Sequence, residues 1–89
     1  MPALFRLEQN YPNPFNPSTT IRYSLPGNAH VTLTIFNTLG QQVATLVNEI
    51  QDSGYHDVRF DPSGLASGVY FYRLKAGDYI ATKRLLLLR

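Results

Sequence analysis

His30 and His56 are the only imidazoles in this 89-residue chain, and there is no cysteine. Thiol catalysis and thiolate metal sites are therefore excluded. The two histidines fall in different strand-like segments, and a metal would need more ligands converging on it. His56 and Asp57 are adjacent in an alternating stretch. Adjacent side chains point to opposite faces of a strand, which argues against a catalytic pair. His56 is expected to pack in or beside the core and to bond a backbone group. Asp52, Asp57, Asp61 and Asp78 are scattered and lack the spacing of a calcium loop. Asp61-Pro62-Ser63-Gly64 reads as a turn capped by its own aspartate, and calcium bridging between loops is the one metal reading left open. Serine and threonine are plentiful, but no Gly-x-Ser-x-Gly elbow and no glycine-rich phosphate loop is present. The reading is a non-enzyme with no catalytic residue, no metal and no cofactor.

Two other stretches have the composition of binding sites. Tyr70-Phe71-Tyr72 places two aromatics on one face of a strand and one on the other. A row of exposed aromatics would be a sugar platform, whereas covered faces would make them core. The absence of tryptophan favours core. Lys83-Arg84-Leu85-Leu86-Leu87-Leu88-Arg89 is apolar on both faces, with Leu85 and Leu87 on one and Leu86 and Leu88 on the other. Such a strand is either central or waiting for a partner, and its flanking cations guard against aggregation.

These residues need elements to position them, and the elements are strands. Hydrophobic residues make up 44% of the chain, and eleven aromatics, six Tyr and five Phe, favour pleated surfaces. Residues alternate over Thr20–Leu25, Val31–Phe36, Gln42–Asn48, Tyr55–Phe60, Val69–Leu74 and Ile80–Leu88. Turns are marked by Pro26-Gly27-Asn28, Asn37 to Gly40, Asp52 to Gly54, Asp61 to Gly64 and Ala76 to Asp78. Asn10 to Ser18 holds Pro12, Pro14 and Pro17, which makes it extended or turned and bars it from a central strand. It is either a partner-reading element or a stiff lead-in that restrains the unfolded chain. The pattern predicts about seven short strands at 8–12-residue spacing, an immunoglobulin-like antiparallel β-sandwich. One domain is expected over residues 1–89, with a lead-in at 10–18 and the sandwich at 19–88. Val31, Leu33, Ile35, Val58, Phe60 and Val69 are the expected core. A chain of this length buries only roughly 60–65% of its unfolded surface, so that core is thin.

The formal charge of +2 is too small to imply a nucleic-acid partner. Five of the eight basic residues nevertheless lie in the last 17 positions, against one acid, Asp78. No stretch reaches the ~20 apolar residues of a membrane span. Residues 1–25 lack a signal-peptide pattern, because Arg6, Glu8 and three prolines interrupt any apolar run. Export signals are therefore expected on an upstream part.

Four blocks, in order, resemble one family. The first runs Leu7-Glu8-Gln9-Asn10-Tyr11-Pro12-Asn13-Pro14-Phe15-Asn16-Pro17-Ser18-Thr19-Thr20-Ile21. The second is Val31 to Asn37, followed by Leu39-Gly40-Gln41 and Val43. The third is Gly54-Tyr55-His56 with Val58, Phe60 and Asp61. The fourth is Leu65 to Leu74, including Gly68 and Tyr70, then Gly77, Thr82 and Lys83. Together they are similar to the type A sorting domain of the type IX (Por) secretion system, over nearly the whole chain. The resemblance implies an Ig-like domain at the C-terminus of a larger secreted cargo protein of a Bacteroidota-like Gram-negative bacterium. It implies passage through the periplasm, recognition by the outer-membrane translocon, and removal by a sortase-like surface protease. The cargo would then be released or joined to surface lipopolysaccharide. It also makes Lys83 to Arg89 the part nearest the sorting signal. The readings from other classes are a carbohydrate-binding module and a passive spacer.

Overall fold

The computed structural model describes residues 2–88. It is all-β, with seven strands and no helix among the described residues. The strands are β1 (Arg6–Leu7), β2 (Thr19–Leu25), β3 (Ala29–Phe36), β4 (Gln42–Gln51), β5 (Gly54–Phe60), β6 (Gly68–Ala76) and β7 (Tyr79–Leu87). A three-stranded sheet in the order β1-β2-β5 opposes a four-stranded sheet in the order β4-β3-β6-β7, and every strand pair is antiparallel. This is the expected immunoglobulin-like sandwich. Six strands follow from alternation. The seventh is β1, whose two residues are too few to show a period.

The strands close because short turns return them. Between β3 and β4, the Asn37 side chain accepts hydrogen bonds from the amides of Leu39 (3.0 Å) and Gln41 (2.9 Å). Gly40 takes φ +80°, a left-handed conformation that side chains disfavour. Between β6 and β7, Gly77 turns at φ +57°. β4 runs three residues beyond its expected end at Asn48. It stays paired with β3 despite register shifts after Leu33 and after Ile35, which a simple period-two reading does not foresee.

The core lies between the sheets. Ile21, Tyr23 and Leu25 of β2 face Val31, Leu33 and Ile35 of β3 and Tyr72 and Leu74 of β6, all fully buried. Two expected core residues are only half-buried. Val58 lies on β5, at the rim of the smaller sheet, with a neighbour on one side only. Val69 falls on the outer face, because β6 turns Tyr70, Tyr72 and Leu74 inward and a period of two sends their neighbours out. Phe60 is buried as expected. Tyr70 donates from its hydroxyl to the Ala66 carbonyl at 2.7 Å. A tyrosine at the start of this strand, bonding backbone a few residues upstream, is the tyrosine corner of Ig-like folds.

Candidate functional site

The sequence marks two unusual segments, the proline–asparagine run and the last strand, and the fold brings them together. β7 is the outer strand of the four-stranded sheet, so one side of its backbone has no strand neighbour. Residues 13–15 occupy that side. The Phe15 amide donates to the Leu86 carbonyl and the Leu88 amide donates to the Phe15 carbonyl, both at 3.0 Å. The Leu86 amide donates to the Asn13 side-chain oxygen at 2.9 Å, across 73 positions of sequence. Phe15 and Leu87 form a parallel bridge. The strand read as either central or waiting for a partner is thus an outer strand whose open side is covered by residues of the same chain. Its outward groups at Leu86 and Leu88 are already paired, with the Phe15 backbone and the Asn13 side chain.

Phe15 anchors this clip. Its ring is 1% exposed and lies 6.1 Å from that of Phe60, so it fills the core between the clip and β5. Burying a side chain of this size stabilises by about 1.5–3 kcal/mol. The peptide bonds preceding Pro12, Pro14 and Pro17 are cis. The surface of the clip is open: Asn13, Pro14, Asn16 and Pro17 are exposed, and Tyr11 is 81% exposed.

A buried polar hub fixes the start of the clip. Asn10 is 2% exposed. Its amide donates to the Tyr72 hydroxyl (2.8 Å), which in turn donates to the Glu8 carbonyl (2.7 Å). The Asn10 side-chain nitrogen donates to Thr19 Oγ1 (3.0 Å) and the Pro12 carbonyl (3.2 Å), and the Thr19 hydroxyl also donates to Pro12 (2.8 Å). Gln9 Nε2 reaches both the Asn10 side-chain oxygen and the Arg84 carbonyl on β7, each at 2.7 Å. Among the described residues, every buried side-chain polar atom has a partner, so the hub is a closed network. Burial pushes the Tyr72 hydroxyl up to about 12, against the opposing hydrogen bond from Asn10. Neither Tyr72 nor Thr19 stands out in the sequence as a partner of Asn10. A tyrosine on an inward face needs a partner for its hydroxyl, and that requirement is the sequence signal for the hub.

The remaining sequence-marked residues divide by strand face. Leu85 and Leu87 are buried, Leu86 is half-buried, and Leu88 is 49% exposed. Lys83 pairs in register with inward-facing Tyr72, and Arg84 with outward-facing Phe71, so the two cations leave the strand on opposite sides. Arg89 lies outside the described residues. Gly54 and Gly68 open β5 and β6, and Gly40 and Gly77 make turns. Tyr70 and Tyr72 are core, 7% and 0% exposed, so these two tyrosines form no exposed platform.

The histidine and carboxylate readings resolve structurally. The His56 ring stacks on Tyr23 at 5.2 Å, and its Nε2 is 2.8 Å from the Asp52 carbonyl oxygen. Asp57 points away from it, to a two-point pair with Arg22 at 2.7 and 3.1 Å. The Arg22 hydrogen bond holds the Asp57 carboxyl below its usual range. Asp61 lies 3.7 Å from Arg59. No group of three metal-ligating side chains gathers among the described residues. Nor is there a helix among them long and apolar enough to cross a membrane.

Searches of curated proteins and of solved structures return no match. A family model described as "Secretion system C-terminal sorting domain" matches residues 9–88, which include the clip, its hub from Gln9 onward and the whole of β7. The chain belongs to the secretion system C-terminal sorting domain family, and it is a sorting signal for type IX secretion.

Proposed function

We propose that this domain takes a larger cargo, joined upstream of it, across the outer membrane by presenting the clip and the end of β7 to the type IX translocon as one surface. One observation supports the composite reading above others. The two segments least like ordinary strand sequence, at 9–15 and 84–88, are hydrogen-bonded to each other along a sheet edge. Here Asn10, Tyr11, Pro12, Asn13, Pro14, Phe15, Asn16 and Pro17 shape the surface. Arg84, Leu86 and Leu88 contribute side chains from β7, and Lys83 flanks it. Leu85 and Leu87 are excluded from direct contact by burial and act by holding the strand in place. Arg89 extends the basic end. A sortase-like surface protease then removes the domain, with the cargo released or attached at the cell surface. The host in this reading is a Gram-negative member of the Bacteroidota, and the route runs through the periplasm.

The test separates surface from fold. Asn13→Ala removes the side-chain acceptor of the Leu86 amide, and Lys83→Glu with Arg84→Glu reverses the flanking charge. Each variant is fused to a fluorescent cargo with its own inner-membrane export signal and followed in a type IX-competent host. Strand-like dichroism with cargo retained in the periplasm is the expected result. Normal surface delivery by both variants would overturn the composite surface and leave the sorting function standing.

A further inference from the structure

The two outer faces of the sandwich handle charge differently. On the three-stranded sheet, Arg22 is paired with Asp57 and Arg59 with Asp61, and Arg6 of β1 is the cation there without an ion pair among the described residues. On the four-stranded sheet, alternation sends Arg73 and Lys75 of β6 and Arg84 of β7 outward. All three are exposed, and none makes an ion pair among the described residues. No carboxylate occupies an outward position of that sheet. Glu49 sits opposite inward-facing Val31, and Asp78 lies in the β6–β7 turn. The face is therefore a field of unneutralised positive charge on a domain whose net charge is only +2.

Its geometry is specific. The Arg73 guanidinium lies over the Phe36 ring, 4.7 Å from the centroid. Phe71 is the cross-strand neighbour of both Phe36 and Arg84. Phe36, Phe71, Arg73 and Thr82 line a shallow groove that continues to the β3–β4 turn. Stacking holds a guanidinium flat and leaves its N–H edge free for a planar, two-point contact with a carboxylate. The backbones of Arg73 and Lys75 are two residues apart on one strand face, about 6.7 Å. Alternate side chains of any extended peptide repeat at that same distance.

We propose that the outer face of the β4-β3-β6-β7 sheet docks an extended acidic segment of a protein partner, with carboxylates at every second residue meeting Arg73 and Lys75 and the chain that continues past Arg73 lying against Phe36 and Phe71. Binding of such a segment does not depend on the sorting reading, although the meeting of domain and partner during export rests on it. A fluid anionic headgroup layer would use the charge but neither the repeat nor the held guanidinium, so the acidic peptide is the occupant the geometry favours.

The test uses the 89-residue chain and a fluorescently labelled peptide of alternating Glu and Thr, read by anisotropy. A Gln–Thr peptide serves as control, and phosphatidylglycerol vesicles and purified lipopolysaccharide are alternative probes. The expected result is binding of the Glu–Thr peptide over the control, weakening as salt rises. In Arg73→Gln with Lys75→Gln, affinity should fall about tenfold or more at low salt with the dichroism spectrum unchanged. Both substituted side chains are exposed, so the fold tolerates the change. Three outcomes overturn the proposal: no preference for the acidic peptide, undiminished binding by the double variant, or binding of vesicles or lipopolysaccharide but not of peptide. Arg73 and Lys75 lie outside the clip and the 83–89 stretch. A domain that binds the peptide but fails to export cargo would therefore sink the sorting surface and leave this one intact.

Discussion

Tyr72→Phe removes one oxygen from the centre of the molecule, and two hydrogen bonds go with it. The hydroxyl accepts from the Asn10 amide and donates to the Glu8 carbonyl. Asn10 and Tyr72 are 2% and 0% exposed, so water cannot replace it without opening the clip. Two hydrogen bonds at about 0.5–1.5 kcal/mol each give about 1–3 kcal/mol, and the Asn10 amide left unpaired moves the sum toward the upper half. A loss of about 2 kcal/mol lowers Tm by roughly 8–16 °C in a domain of this size. The phenyl ring still fills its site, so no cavity contributes. Thermal melting measures the total, and amide exchange at Leu86 and Leu88 measures its location, because those two amides report clip contact. Their protection should fall by more than the global loss accounts for. Tyr70→Phe is the control: it removes a hydroxyl bonded to the Ala66 carbonyl and should leave the excess exchange unmoved. A Tyr72→Phe domain that melts within about 0.5 kcal/mol of the parent, with the two leucine amides still protected, would refute the hub.

Other substitutions and conditions probe the rest of the fold. Leu33→Ala, at a fully buried site facing the opposite sheet, should cost about 2–5 kcal/mol in denaturant unfolding, close to the whole stability of so small a domain. Stability should also fall in alkali. Burial raises Tyr23 and Tyr72 to about 12, above the ordinary value near 10. The folded state therefore holds these protons more tightly, and the stability they give is full below about pH 10 and lost as pH climbs toward 12. A melting temperature flat across that window would contradict it. A chelator should leave melting unchanged, and a collapse would restore the calcium reading.

The strands were legible because their residues alternate, and the turns because proline, glycine and asparagine punctuate them. What escaped the sequence is where period two has little to say. β1 is too short for a pattern, and Val69 looks as apolar as Val31 yet shares a face with Phe71 and Arg73 rather than with Tyr72. The clip was the larger omission. Prolines at 12, 14 and 17 show that Asn10–Ser18 is no central strand, but a linear reading cannot show that it lies along β7. That contact depends on the Asn13 side chain and on backbone groups of Phe15, Leu86 and Leu88, which no apolar pattern records. Phe15 was visible only as part of a motif, and Tyr72 only as an aromatic. Their roles, as core plug and as hydrogen-bond hub, exist once residues 8–15 fold back on β6 and β7. The doubly apolar end of β7 reads as either central or waiting for a partner; β7 is an outer strand, and residues 13–15 of the same chain lie along its open side.

Sorting information is carried by these 89 residues. The most direct measurement joins them to the C-terminus of a fluorescent protein that already has an inner-membrane export signal. Cell-surface, medium and periplasmic fluorescence are then compared in a type IX-competent host and in an isogenic strain lacking the translocon. Fluorescence is expected at the surface or in the medium of the competent host, and confined to the periplasm when the translocon is absent. Periplasmic retention in both strains, with the domain folded, would contradict it.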